Sequence, residues 1–122
     1  MSDFHSLQDE IRDFIAERDW SRFHDPKSVI LALVGEVGEL SELFQWLPAH
    51  EAARRARDEP LRGHVAEELA DVFTYLLVLA DALDVDLIEA ADQKLHKTRQ
   101  RYPTDTSRGI APSRVDSGGH RD

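Results

Sequence analysis

Glu36 and Glu39, and again Glu68 and Asp71, form two acidic pairs with i, i+3 spacing. On a helix such residues are surface neighbours, so each pair sets two carboxylates side by side. Two helices of this kind packed face to face would bring all four into one space. Like charges raise one another's pKa, so a half-buried cluster of carboxylates needs compensation. A hard divalent cation supplies it, and Mg²⁺ is the usual choice where phosphate oxygens complete the coordination shell. With no His or Cys beside the pairs, Mg²⁺ or Mn²⁺ fits better than Zn²⁺ or Fe. Two ordinary readings compete with this one. A lone E-x-x-E is most often a solvated helix face, and a buried acid is often paired with Arg or Lys.

A di-iron carboxylate bundle would use similar helices but needs two Glu-x-x-His motifs. The chain has neither: Gln93 stands three positions before His96, and His64 precedes Glu67.

The elements that must position the acids are helical, and the expected fold is all-α with four helices. The first is expected from about Asp3 to Glu17, with Phe4, Leu7, Ile11, Phe14 and Ile15 on one stripe. The period then breaks over Arg18 to Asp25, where Trp20, Phe23 and His24 fall. Asp25-Pro26 reads as an N-cap followed by proline at the first helical position. The second helix is expected to reach about Trp46, before Pro48, with Glu36 inside its apolar arc and Glu39 at the edge. A salt-bridging surface Glu would avoid the first of those positions. Gly35 and Gly38 lie in the same helix at a cost of about 1 kcal/mol each, which close helix packing explains better than a ligand's approach.

Residues 49–62 are charged and alanine-rich, fitting a short helical connector or a mobile loop. The third helix, about His64 to Leu83, is apolar over much of its circumference, as if buried from several sides, a second subunit among them. Glu68, Asp71 and Tyr75 share one flank of it. Asp86 and Glu89 read as a capping box for a fourth helix ending near Arg101, before Pro103, with Lys94 at the border of its apolar stripe. We therefore expect one domain over residues 1–103 and a disordered Gly- and Ser-rich tail over 104–122.

Composition narrows the function. The 122 residues carry a net charge of -9 and no cysteine. Disulfides and thiolate metal sites are excluded, and an acidic body argues against binding a nucleic-acid polymer through its backbone. The first residues are acidic and amphipathic rather than basic and then apolar, and no apolar run is long enough to span a membrane, so the expected location is the cytoplasm. There is neither a G-x-x-x-x-G-K loop nor a G-x-G-x-x-G turn, so any nucleotide must be held in another way. Trp20 and Trp46 offer faces for a base and His24 a hydrogen-bonding ring, although on their own both tryptophans read better as ordinary core or interface anchors. Lys94 can neutralise a phosphate or simply snorkel, and Tyr75 can donate to a phosphate or fill core.

Taken together, ERDWSRFHDPKSVILALVGEVGELSELFQWL, EELADVFTYLLVLA and KLHKTRQRYP resemble the MazG-like family of all-α nucleoside triphosphate pyrophosphohydrolases over roughly residues 7–103. They look most like its dCTP pyrophosphatase branch. The resemblance implies hydrolysis between the α- and β-phosphates, giving a monophosphate and pyrophosphate. It implies Glu36, Glu39, Glu68 and Asp71 as Mg²⁺ ligands, with Glu39 the candidate for orienting or deprotonating water. Lys94 and Tyr75 match phosphate contacts, Trp20 and Trp46 match the base and sugar pocket, and His24 lies in the same F-H-x-P segment. The family's habit of forming dimers or dimers of dimers with composite sites implies a homodimer or homotetramer here. Three positions depart from the pattern: Ser28 and Thr98 stand where Asn is frequent, and Ile11 where some dCTP-preferring relatives carry His. All three bear on base and sugar recognition rather than on metal. A catalytically silent helical module, or a nucleotide sensor on the same scaffold, is the alternative.

Overall fold

Aspartates start the first two long helices. In the computed structural model, which describes residues 3–112, Asp3 Oδ1 accepts from the Ser6 N–H at 2.7 Å and opens α1 (Phe4–Glu17). Asp25 Oδ2 accepts from the Ser28 N–H at 3.0 Å and opens α2 (Pro26–Glu42), with Pro26 at its first position. A single 3₁₀ turn, Ser21–Phe23, lies between them.

Helix α2 stops earlier than the expected Trp46. From Leu43 the backbone bonds reach back three residues instead of four, Leu43 N–H to Leu40 O and Phe44 N–H to Ser41 O, and the chain leaves in turns toward Pro48. The residue before a proline is pushed out of helical conformation, which helps end the run. Residues 49–62 resolve the open choice: Ala49–Ala56 is a helix, α3. Arg54 and Arg55 occupy its last turn, where cations complement the negative end of the helix dipole, and Glu51 occupies its first.

Helix α4 (Leu61–Ala82) begins three residues before the expected His64. Pro60 has no capping side chain, but the Glu59 carboxylate reaches forward to accept from the Gly63 N–H at 3.1 Å, so Gly63 is held inside the helix rather than breaking it. Helix α5 (Leu87–Arg101) follows, and α6 (Thr104–Ser107) adds one helical turn after Pro103. The tail expected from 104 onward is thus described as far as residue 112; positions 113–122 lie outside the described residues.

All described secondary structure is helical, four long helices and two short ones. The chain divides into two units, Met1–Asp86 and Leu87–Asp122. Within the first, α2 and α4 form the main packed pair, and α1 and α3 each rest on α4. The buried apolar core is small: Val29 from α2, and Leu77, Val78 and Ala80 from α4. Phe4 of α1 meets Phe73 of α4 edge to face, ring centres 6.0 Å apart. Ile30, Leu31, Val34 and Val37 on α2, with Leu69 and Phe73 on α4, remain exposed. Among the described residues no helix is long and apolar enough to cross a membrane.

Candidate metal centre

The packing of α2 against α4 brings the two acidic pairs into register. One oxygen from each of Glu36, Glu39 and Glu68 lies within 4.8 Å of the others. Glu36 and Glu68 are half-buried, and Glu39 and Asp71 are exposed. Asp71 is not a member of that close trio. Its charge nonetheless helps raise the pKa of both Glu36 and Glu68, so it acts on the same space.

Both half-buried carboxyls hold their protons more tightly than an ordinary glutamate. For Glu36 the larger cause is desolvation, followed by the Glu39 and Asp71 charges. For Glu68 desolvation again leads, followed by the hydrogen bond and charge of Glu39. Oε2 of Glu36 and Oε2 of Glu68 are buried without any hydrogen-bond partner. Among the described residues no Lys or Arg forms an ion pair with any of the four acids. This disposes of the paired-acid reading. Orphaned carboxylate oxygens from two helices, with no imidazole or thiol among them, are a donor set that fits a hard divalent cation.

Tyr75 lies half-buried on α4, one turn beyond Asp71. The aromatic candidates stand apart from the acids in the chain. Trp46 sits on the turns after α2 and is 86 % exposed, and Trp20 is 44 % exposed beside Phe14. His24 is half-buried at a small cleft of about 170 Å³ shared with Arg12, Ile15, Ser21 and Asp81.

Lys94 and Thr98 belong to the second unit, in a cleft of about 440 Å³ also lined by Lys97, Arg101 and Tyr102. The Thr98 hydroxyl donates to Lys94 O at 2.9 Å, so it serves its own helix. Lys97 and Arg101 went unremarked in the sequence, although with Lys94 they make an i, i+3, i+7 row of cations. Tyr102 Oη is buried without a partner, and only burial could have revealed that.

Gly35 and Gly38 behave differently from expectation. A Cβ added at either would meet nothing within 4 Å, so close packing inside this chain does not explain them.

A profile of the MazG-like family matches residues 32–113, the stretch that carries all four acids and the Lys94 row. The chain belongs to the MazG-like family. Its relatives include dCTP pyrophosphatase 1 of Bos taurus, 50% identical over 99 residues, covering 81% of this chain and 59% of the relative. The Mus musculus protein of the same name is 50% identical over 99 residues, covering 81% and 58%. The chain thus spans under three-fifths of the length of these relatives. A solved structure, a pyrophosphatase from Archaeoglobus fulgidus, superposes with a TM-score of 0.76 at 36% identity, covering 84% of this chain and 96% of that one. At that identity the likeness holds in sequence as well as in fold.

Proposed function

We propose that this chain hydrolyses deoxynucleoside triphosphates, dCTP or a modified dCTP foremost, to the monophosphate and pyrophosphate, as a Mg²⁺-dependent enzyme that clears modified or excess nucleotides from the cytoplasmic pool. The observation that carries this reading is the pair of orphaned buried oxygens on Glu36 and Glu68, within a trio of carboxylates contributed by two helices. Similarity to dCTP pyrophosphatase 1 supports the substrate class.

Glu36, Glu39, Glu68 and Asp71 would hold the metal, Mg²⁺ first and Mn²⁺ as a substitute. A divalent cation bound there would offset phosphate charge and lower the pKa of a coordinated water. Glu39, the exposed member of the trio, would accept the proton as water attacks the α-phosphorus. The bond from that phosphorus to the bridging oxygen then breaks, and pyrophosphate leaves with the oxygen. Tyr75 would serve the phosphates, Trp20 and Trp46 the base, and His24 the surroundings of the substrate.

A homodimer or homotetramer accompanies this reading. The large apolar residues left open on α2 and α4 amount to a surface that a second copy of the same pair would cover.

The test is pyrophosphate release from a panel of dNTPs and NTPs, with Mg²⁺ and with excess EDTA. Metal-dependent release, greatest for a cytosine deoxynucleotide, is expected. Release from another base would retain the chemistry and shift specificity onto Ile11, Ser28 and Thr98. No release from any substrate would favour the silent module, and tight Mg²⁺-dependent binding without turnover the sensor.

A further inference from the structure

Helix α1 ends at Glu17, and Asp19 takes a left-handed conformation with φ 54°. The Asp19 N–H donates to Ala16 O and the Trp20 N–H to Ile15 O, each at 3.1 Å, which are the paired bonds of a Schellman cap. The cap lays the Trp20 indole against Phe14, ring centres 5.7 Å apart and planes at 78°. The Arg18 guanidinium carbon lies 3.8 Å from the centre of the Phe14 ring, and Arg18 Nη1 donates to Phe14 O at 3.0 Å. Arg18 is therefore tied to both the ring and the carbonyl of Phe14. Phe14 and Trp20 remain 47% and 44% exposed, so the stack is partly open to solvent.

We propose that Phe14 and Arg18 are positioning residues for Trp20, holding its indole in the orientation that receives the substrate's base. The proposal rests on the nucleotide reading above and adds two residues that need not touch substrate. A half-exposed tryptophan left to itself samples several rotamers, and a ligand stacking on it must first order the side chain. An edge-to-face neighbour restrains the ring's tilt, and a cation fixed over that neighbour keeps it from turning away. The backbone cap sets where the indole starts, and the side chains limit where it can go.

The test compares Phe14→Leu and Arg18→Leu with the conservative Phe14→Tyr and Arg18→Lys, on dCTP and on 2-deoxyribose 5′-triphosphate, which has no base. The leucine variants are expected to raise KM for dCTP by about threefold to tenfold. Their kcat on dCTP and their kinetics on the base-free triphosphate should stay at wild-type values, and the Tyr and Lys variants should recover most of the loss. In a Trp46→Phe background Trp20 is the sole indole, and Phe14→Leu should shift its emission to the red and lower its anisotropy. Equal losses on both substrates would make Phe14 and Arg18 merely structural and overturn the proposal. So would wild-type KM for dCTP with a mobile Trp20. Trp20→Ala with an unchanged KM for dCTP would overturn it differently, by removing Trp20 from the base pocket. Absence of turnover in the wild type would remove the nucleotide reading beneath it.

Discussion

Arg12 of α1 and Asp81 of α4 meet across 69 positions of sequence, with Arg12 Nε at 2.8 Å and Nη2 at 2.6 Å from the same carboxylate oxygen. Arg12 Nη1 also donates to Asp9 at 3.0 Å, so one guanidinium ties α1 to itself and to α4. The Arg12 and Asp81 side chains are 45% and 43% exposed, and water screens the pair. We therefore expect Asp81→Asn to lower the melting midpoint by only about 2–4 °C. Thermal melts in low and high salt check this, since the difference should shrink as salt rises.

Turnover should depend on Glu39 more than stability does. Its side chain is exposed, so Glu39→Gln should leave the helical circular-dichroism signal intact while pyrophosphate release falls by at least about a hundredfold. Activity equal to wild type would dismantle the metal-site reading.

Glu36 and Glu68 should also make stability fall as pH rises. The folded-state pKa values of Glu36 and Glu68 are raised, so above the ordinary carboxyl range the folded chain holds more protons than the unfolded one. Stability then decreases with pH until both groups have ionised. Glu68→Gln should melt higher than wild type at about pH 8 without metal, and the gap should close near about pH 4. Mg²⁺ at about a hundred times its Kd should stabilise the wild type by about 2.7 kcal/mol, and far less in the variant. Differential scanning calorimetry at the two pH values, with and without Mg²⁺, reads both effects.

Gly35 precedes Glu36 and has open space around it, so Gly35→Ala should add about 1 kcal/mol of helix stability. Because nothing in this chain occupies the space, we expect the same variant to lose at least about tenfold in kcat/KM, by crowding a ligand or a second copy. Urea unfolding and pyrophosphate release on one preparation measure the pair. A stable, fully active variant would show that the glycine serves neither.

Asp84 holds a left-handed conformation, φ 54°, where α4 ends in its own Schellman pair: Asp84 N–H to Asp81 O at 3.2 Å and Val85 N–H to Ala80 O at 2.9 Å. Glycine is the residue without a steric penalty there. Asp84→Gly should raise stability by about 0.5–1 kcal/mol, seen as a higher urea midpoint at fixed protein concentration.

The start of α2 was legible because Asp25-Pro26 is a capping residue followed by proline, and that of α1 because its apolar stripe begins at Phe4. The acidic pairs were legible because i, i+3 spacing and an apolar arc are both properties of the chain. Helix ends were harder. The start of α4 depends on the Glu59 carboxylate reaching the Gly63 N–H, while Gly63 by itself reads as a breaker. Asp19 and Asp84 end their helices in a conformation usually signalled by glycine, and an aspartate gives no such sign. The connector stayed ambiguous because alanine with Arg54 and Arg55 suits a helix, while Pro48, Pro60 and Gly63 around it suit a loop. That Lys94 and Thr98 fall in a different unit from the carboxylates is a matter of packing, which periodicity does not encode.

The early stop of α2 has an evolutionary consequence. Glu39 lies within the last turn of the helix, whereas Trp46 follows on a run of turns that carries none of the four acids. Substitutions between residues 43 and 48 can therefore accumulate without disturbing the carboxylates. Under the proposed function, with Trp46 at the base, a library confined to that segment should yield altered base preferences more readily than lost activity.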